Sequence, residues 1–349
     1  PGAGAARAAA AADAHEVLGA EEYLDRGTAH VAAGELEKAE ECFRACLRLG
    51  DNADAHFSLG QLLANRGDLA GAEDSLRAAL DADPNDADGC FALALILKQR
   101  GDMESAEVYY EAAIRSEPEY VDAHFRLGEA LAARGESERA EESFRAMLAI
   151  DADRADAHFE LGRLRRRRGD LKGAEESYRE VVRIDPQSAG GYYELGRILE
   201  ARSDDGSALD CYRTVLKFDA KHADSYFYLA GILAIQEDYP GAEKSYRAAL
   251  HFDPGNVDAQ KGLGFVQRLQ GDVAGAVESY QAVLKAEPRN ADLHLSLGLA
   301  HKSRRSLAEA EQAFRTVLRL DPAQEAAQTE LGRVQAAAAE RSRVQAAAA

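Results

Sequence analysis

A small residue returns along this chain at a fixed interval: Gly27, Gly60, Gly128, Gly162, Gly196, Gly264, Gly298 and Gly332, with Ala94 and Ala230 in the two gaps. Every step is 34 residues except the first, which is 33. A period of this length means one supersecondary unit used many times, each copy burying its apolar face against its neighbours. The chain is therefore expected to form an elongated stack and not a globule around one pocket. Its function is to be sought on the surface of that stack.

With the glycine set at place eight of a 34-residue unit, the other places fall into line. Leucine precedes it in Leu59, Leu127, Leu161, Leu195, Leu297 and Leu331. Place fifteen is Gly34, Gly67, Gly101, Gly135, Gly169 and Gly271, usually followed by Asp or Glu, which reads as a chain reversal and then the start of a helix. Each unit is thus two helices joined by a tight turn. Units six, seven and nine carry Ser203, Glu237 and Arg305 at that place, which predicts looser or locally different turns there.

Place twenty is alanine in all nine complete units: Ala39, Ala72, Ala106, Ala140, Ala174, Ala208, Ala242, Ala276 and Ala310. Place twenty-four is large and mostly aromatic: Phe43, Leu76, Tyr110, Phe144, Tyr178, Tyr212, Tyr246, Tyr280 and Phe314. Large side chains there are expected to fill the space left by the small residues at places eight and twenty. Pro84, Pro118, Pro186, Pro254, Pro288 and Pro322 share place thirty-two, where a missing N–H and a fixed φ stop the second helix. Pro240 falls in the first turn of a second helix, which tolerates proline.

Leucine and glycine at places seven and eight, alanine at twenty, an aromatic at twenty-four and proline at thirty-two together resemble the tetratricopeptide repeat, over residues 20 to 332. The resemblance implies an all-α fold, an α-α superhelix of antiparallel helix pairs stacked in a right-handed sense, with a concave groove lined by the first helices. The expected organisation is an Ala-rich N-terminal capping segment at 1–19, nine repeats at 20–324, and a capping helix with an Ala-rich tail at 325–349. That makes about twenty helices and no sheet. RVQAAAA occurs twice, at 333–339 and 343–349, and the repeat pattern gives no reason for it.

The net charge of −19 argues against a general nucleic-acid binder, which needs excess Lys and Arg to displace counterions from phosphates. Cys42, Cys46, Cys90 and Cys211 are too few and too irregular for the disulfide framework of a small secreted domain, so a reducing, cytoplasmic setting is expected. Cys42 and Cys46 are expected to be small buried thiols and not metal ligands. No stretch approaches the roughly 18 apolar residues of a membrane span. The first residues resemble neither a signal nor a transit peptide. Because the chain opens on Pro1 and not on Met, it is treated as a stretch that can belong to a longer protein.

Places two, five, nine and twelve lie on one stripe of the first helix, which the resemblance puts in the groove. Place two holds Asp54, Asp88, Asp122, Asp156, Asp224, Asp258 and Asp292; place five holds Phe57, Phe91, Phe125, Phe159, Tyr193 and Phe227. Such a ladder suits an extended or helical partner segment carrying basic and apolar side chains. The same residues also serve a scaffold, since an Asp in the first turn complements the helix dipole and an aromatic packs between units. Arg163, Arg166 and Arg167 in unit five and Arg197 in unit six form a local positive field, suited to an acidic or phosphorylated protein segment. As a scaffold feature, Arg165 to Arg168 would be a solvated helix end, stabilised by the C-terminal dipole and by neighbouring Glu200 or Asp156.

Asp-x-His recurs at Asp54/His56, Asp122/His124, Asp156/His158 and Asp292/His294, but residues two apart on a helix face different ways, so the motif follows the scaffold. No nucleophile elbow, phosphate loop or metalloprotease signature is present, and no cofactor is expected. The leading expectation is a non-catalytic protein-interaction scaffold or adaptor within a hetero-complex. A recognition arm of an enzyme resembling O-linked N-acetylglucosamine transferase is the alternative. That family lines its groove with asparagines at place six, where this chain has Asp25, Ser58, Ala92, Arg126, Glu160, Glu194, Tyr228, Gly262 and Ser296. A cochaperone that clamps a C-terminal carboxylate is a third possibility, and Asp88 would repel such a ligand.

Overall fold

The structure is a computed structural model that describes residues 18 to 348; the capping segment expected before them lies outside the described residues. Among those residues there are nineteen α-helices and no strand. The first helices of the pairs are α1 (Ala20–Ala32), α3 (Ala53–Asn65), α5 (Ala87–Gln99), α7 (Val121–Arg134), α9 (Ala155–Arg167), α11 (Ala189–Ala201), α13 (Ala223–Ile235), α15 (Val257–Gln270) and α17 (Ala291–Ser303). Their partners are α2 (Leu36–Leu49), α4 (Leu69–Ala82), α6 (Met103–Ser116), α8 (Ser137–Ile150), α10 (Leu171–Ile184), α12 (Asp205–Phe218), α14 (Tyr239–Phe252), α16 (Val273–Ala286) and α18 (Leu307–Leu320). A continuous 24-residue helix, α19 (Glu325–Ala348), packs on α18 and closes the described chain.

Contacts divide the chain into two compact units, up to Arg167 and from Arg168 onward. Within each unit every helix packs on the one before and the one after it, and some successive first helices, such as α3 with α5 and α13 with α15, also touch.

The local rules are visible at many of the junctions. Asp68, Asp102, Asp238 and Asp272 cap second helices, each Oδ1 accepting the N–H three residues on at 3.0–3.1 Å. After a second helix the chain turns on an Asp whose Oδ1 accepts the N–H two residues on, as in Asp83 to Asn85 at 3.1 Å and Asp321 to Ala323 at 3.1 Å. The proline at place thirty-two follows that Asp directly at Pro84 and Pro322 and prevents the helix from continuing. Pro240 is the second residue of α14, in the tolerant first turn.

The turn inside each pair corrects the expectation for units six, seven and nine. Ser203, Glu237 and Arg305 adopt φ of 63°, 62° and 59°, the left-handed conformation that Gly67 and Gly101 adopt at 83° and 85°. The backbone bond that closes the turn is kept as well: Asp204 N–H donates to the Leu199 carbonyl at 2.9 Å, as Asp68 N–H does to Leu63 at 2.9 Å. The stack fixes the turn, and a side chain there bears the steric cost that glycine avoids. Replacing Ser203, Glu237 or Arg305 by Gly is therefore expected to stabilise its pair by about 0.5–1 kcal/mol, net of the entropy glycine gains when unfolded. A urea titration in which all three replacements lower the midpoint would contradict this.

The core is the small-against-large arrangement expected from places eight, twenty and twenty-four. All nine place-twenty alanines are fully buried, and Phe43, Tyr110, Phe144, Tyr178, Tyr212 and Phe314 are 0% exposed. A Cβ added at Gly128 would lie 2.7 Å from Phe144 Cε1, and one at Gly298 would lie 2.6 Å from Phe314 Cε1. In both cases the ring belongs to the second helix of the same pair. Each such ring contributes about 1.5–3 kcal/mol through burial, which no helix of 13 or 14 residues could supply alone.

A second periodic device was not read from the sequence. Arg66 reaches back from the end of α3 to Glu40 on α2, Arg100 to Glu73 on α4, and Arg134 to Glu107 on α6; in the second unit Arg202 reaches Glu175 on α10. Several of these carboxylates also bind an arginine one turn along their own helix, as in Glu40 with Arg44 at 2.8 Å and Glu73 with Arg77 at 2.9 Å. Each rung ties one pair to the next. Half-exposed guanidiniums make such pairs worth only about 0–1 kcal/mol, so they set register more than stability. Further along the second unit, the equivalent places hold Leu209 with Gln236 and Val277 with Arg304, where Leu209 and Val277 are buried and apolar.

Candidate functional site

The residues singled out from the sequence occupy the first helices, and the structure gives most of them work within the scaffold. Asp54, Asp88, Asp122 and Asp156 stand exposed in the first turns of α3, α5, α7 and α9. Asp88 Oδ1 accepts the Tyr120 hydroxyl at 2.7 Å, Asp122 lies 3.6 Å from Arg154, and Asp292 Oδ1 accepts the Gln324 amide at 3.2 Å. In each case the last residue of a repeat folds back onto that repeat's own place two. Arg154 also pairs with Asp156 at 2.7 Å, and despite burial its bonds hold the Asp156 carboxyl below its ordinary value.

The place-five aromatics are half-buried, and four of them, Phe91, Phe125, Tyr193 and Phe227, lie over the place-twenty-four rings of their own repeats. Phe91 tilts onto Tyr110 at 5.9 Å and onto Tyr120 at 5.0 Å, and Phe125 onto Phe144 at 5.7 Å. In the second unit Tyr193 lies 6.3 Å from Tyr212, and Phe227 6.1 Å from Tyr246. Phe57 packs against the core of the first unit, and Phe159 is half-buried on α9. The Asp-x-His motif is scaffold too: His124 and His294 each share a hydrogen bond, at 2.9 and 3.0 Å, with the carbonyl six residues earlier, which ties the connecting turn to the helix.

The open surface lies further along the first helices than this ladder. Between α1 and α3 a cleft of about 170 Å³ is lined by Thr28, Val31, Ser58, Gln61 and Asn65 over Phe43. Between α3 and α5 a larger one, about 400 Å³, is lined by Gln61, Asn65, Ala92, Leu95 and Gln99 over Leu76. Amides at the mouth and apolar side chains at the floor can pair a peptide backbone while accepting apolar side chains. Gln61, Asn65 and Gln99 were missed because two amides on α3 and one on α5 make no ladder. The signal lay in place thirteen, which Asn65 and Gln99 share.

The arginines fall in different surroundings. In the first unit Arg126 lies over the Phe125 ring, 5.5 Å from its centroid, and binds Glu129 at 2.8 Å; Lys98 meets the same carboxylate at 3.2 Å. Burial works against the charge on Glu129, but these two cations overcome it and hold its carboxyl below the ordinary value. Arg163 binds Glu160 at 2.5 Å, where burial still lifts the Glu160 carboxyl. Arg166 is half-buried and Arg167 exposed at the end of α9, the pole of the helix dipole that favours cations. In the second unit Arg197 on α11 lies over two rings, 5.9 Å from the Tyr193 centroid and 5.3 Å from that of Tyr228.

The cysteines are all free; Cys46, Cys90 and Cys211 are buried, whereas Cys42 is half-buried. Burial pushes the Cys211 thiol up to about 11, which makes it a poor nucleophile. Among the described residues no helix is long and apolar enough to cross a membrane.

Tetratricopeptide repeat family models match residues 24–87, 91–155, 193–257 and 268–325, with further models of the same description at 233–294 and 155–188. No curated protein matches in sequence. Among solved structures, the C-terminal part of a TPR repeat-containing protein from Cytophaga hutchinsonii is similar at 16% identity and a TM-score of 0.54, over 79% of this chain and 99% of that one. PilF of Pseudomonas aeruginosa is similar at 21% identity and a TM-score of 0.50, over 60% of this chain and 95% of that one. Both likenesses concern the fold.

Proposed function

Because this chain belongs to the tetratricopeptide repeat family, we propose that it is a non-catalytic protein-interaction scaffold, an adaptor or subunit of a larger hetero-assembly that takes partner segments on its first-helix faces. The observation that carries this reading is the pair of clefts between α1, α3 and α5, where amides stand around an apolar floor. A preformed helical surface of this kind binds without much reordering, so little of the contact energy is spent on folding. Arg163, Arg166 and Arg167 at the end of α9 and Arg197 on α11 are proposed contacts for acidic partner residues. The ladder of Asp54, Phe57, Asp88, Phe91, Asp122, Phe125, Asp156, Phe159, Tyr193 and Phe227 is proposed to frame the surface. Four free cysteines accord with a reducing, cytoplasmic setting.

The test is hydrogen exchange on the chain alone and in a complex co-purified from its source. Protection is expected on first helices, around Gln61–Asn65 of α3 and Leu95–Gln99 of α5. Protection confined to the second helices, such as α4 and α6, would refute the reading.

A further inference from the structure

The first-helix face of the second unit differs in chemistry from that of the first. In the first unit, the places that line the 400 Å³ cleft carry Gln61 and Asn65 on α3 and Leu95 and Gln99 on α5. The same places in the second unit hold Gly231 and Ile235 on α13 and Phe265 and Leu269 on α15, two first helices that also touch. The amides are gone. Ile235 is 72% exposed, Phe265 46% and Leu269 40%. Three large apolar side chains this open on one face are a cost to a free protein unless something covers them. At Gly231 an added Cβ would meet nothing closer than 4.0 Å, so the glycine leaves a notch beside them.

The cations differ in the same way. In the first unit Arg126 stacks on an aromatic ring but is neutralised by Glu129, and Arg163 by Glu160. In the second unit Arg197 lies over Tyr193 and Tyr228, and Arg268 lies 5.4 Å from the Phe265 centroid; neither has a carboxylate within ion-pair distance among the described residues. In a chain of net charge −19 with 61 acidic residues, two guanidiniums held on aromatic faces with no ion pair to a carboxylate among the described residues are conspicuous, Glu194 acting on Arg197 only through its field. A guanidinium over a ring still presents N–H donors to a carboxylate, although Arg268 also faces the Tyr280 hydroxyl.

Resting on the reading of the first-helix faces as the binding surface, we propose that the face from Arg197 to Leu269 docks an acidic, apolar segment of a partner protein. Carboxylates meet Arg197 and Arg268, and large apolar side chains between them cover Ile235, Phe265 and Leu269 and enter the notch at Gly231. Packed helices lie about 10 Å apart, so the path from α11 across α13 to α15 is about 20 Å. That is about six residues of extended chain. The segment therefore carries Asp or Glu near both ends of a short run rich in Leu, Ile or Phe.

The probe is a fluorescein-labelled peptide with Glu at both ends of a Leu- and Ile-rich hexamer, flanked by Gly-Ser, beside versions ending in Gln and in Lys. Anisotropy titrations of the full chain are expected to show the Glu version binding about tenfold or more tightly than the Lys version. Arg197→Glu with Arg268→Glu should reverse that order. Gly231→Leu, whose added Cβ meets nothing closer than 4.0 Å, should weaken the Glu version about tenfold while leaving the circular dichroism spectrum unchanged. Gln61→Ala with Gln99→Ala in the first unit should leave it within about twofold. Equal binding of Glu and Lys peptides, or indifference to the charge reversal, overturns the proposal. If first helices are nonetheless protected in the co-purified complex, only the acidic segment falls and the general reading stands.

Discussion

Replacing Phe144 by Ala is expected to cost about 3–5 kcal/mol. The ring is 0% exposed, sits against Gly128 on the neighbouring helix, and meets Phe125 at 5.7 Å. Gly128 and the fully buried Ala140 beside it are already as small as they can be, so neither can fill the cavity. The loss is also expected to be local. Each pair touches mainly its neighbours, so hydrogen exchange should accelerate first in α7 and α8 while α1 and α2 retain their protection. A urea titration showing less than about 1 kcal/mol would mean that the ring is not the keystone of its pair.

Gly128→Ala and Gly332→Ala are expected to act in opposite directions although both glycines hold place eight. At Gly128 the new Cβ would fall 2.7 Å from Cε1 and 2.8 Å from Cζ of a ring that has no room to retreat. Overpacking of this kind costs about 1–3 kcal/mol, more than the roughly 1 kcal/mol that alanine brings to a helix interior. At Gly332, in α19, no atom lies within 4 Å of the new Cβ, because no second helix follows it among the described residues. There the helix preference acts alone, and the change should stabilise by about 1 kcal/mol. Thermal or urea midpoints that move the same way for both variants would remove the packing explanation for the period.

The fold was legible because its determinants are steric and recur: a small residue where a ring must enter, a proline where a helix must stop. The turns at Ser203, Glu237 and Arg305 were misjudged because glycine makes a left-handed turn cheap without being required for it. The stack supplies the remaining energy, and sequence pattern does not display that. The surface was less legible. Asp88 and Phe91 recur with the period, but so does any residue that ties Tyr120 or covers Tyr110, so recurrence could not separate scaffold from binding surface. Ile235, Gly231 and Leu269 break the pattern of their own places, and that departure was the better guide. The rungs from Arg66 to Glu40 and from Arg100 to Glu73 were periodic and readable, but each joins residues 26 or 27 apart, a spacing that means nothing until the pairs are stacked.

The uneven distribution of those rungs gives the two units different responses to their solvent. In the first unit Arg66, Arg100 and Arg134 join successive pairs by charge, whereas in the second Arg202 does so and, further along, Leu209 and Val277 put buried apolar side chains at the carboxylate's place. Added potassium chloride screens the former. Sulfate strengthens the latter, and cooling weakens them. Ionic strength and temperature thus act as two separate dials, each loosening a different stretch of one continuous chain.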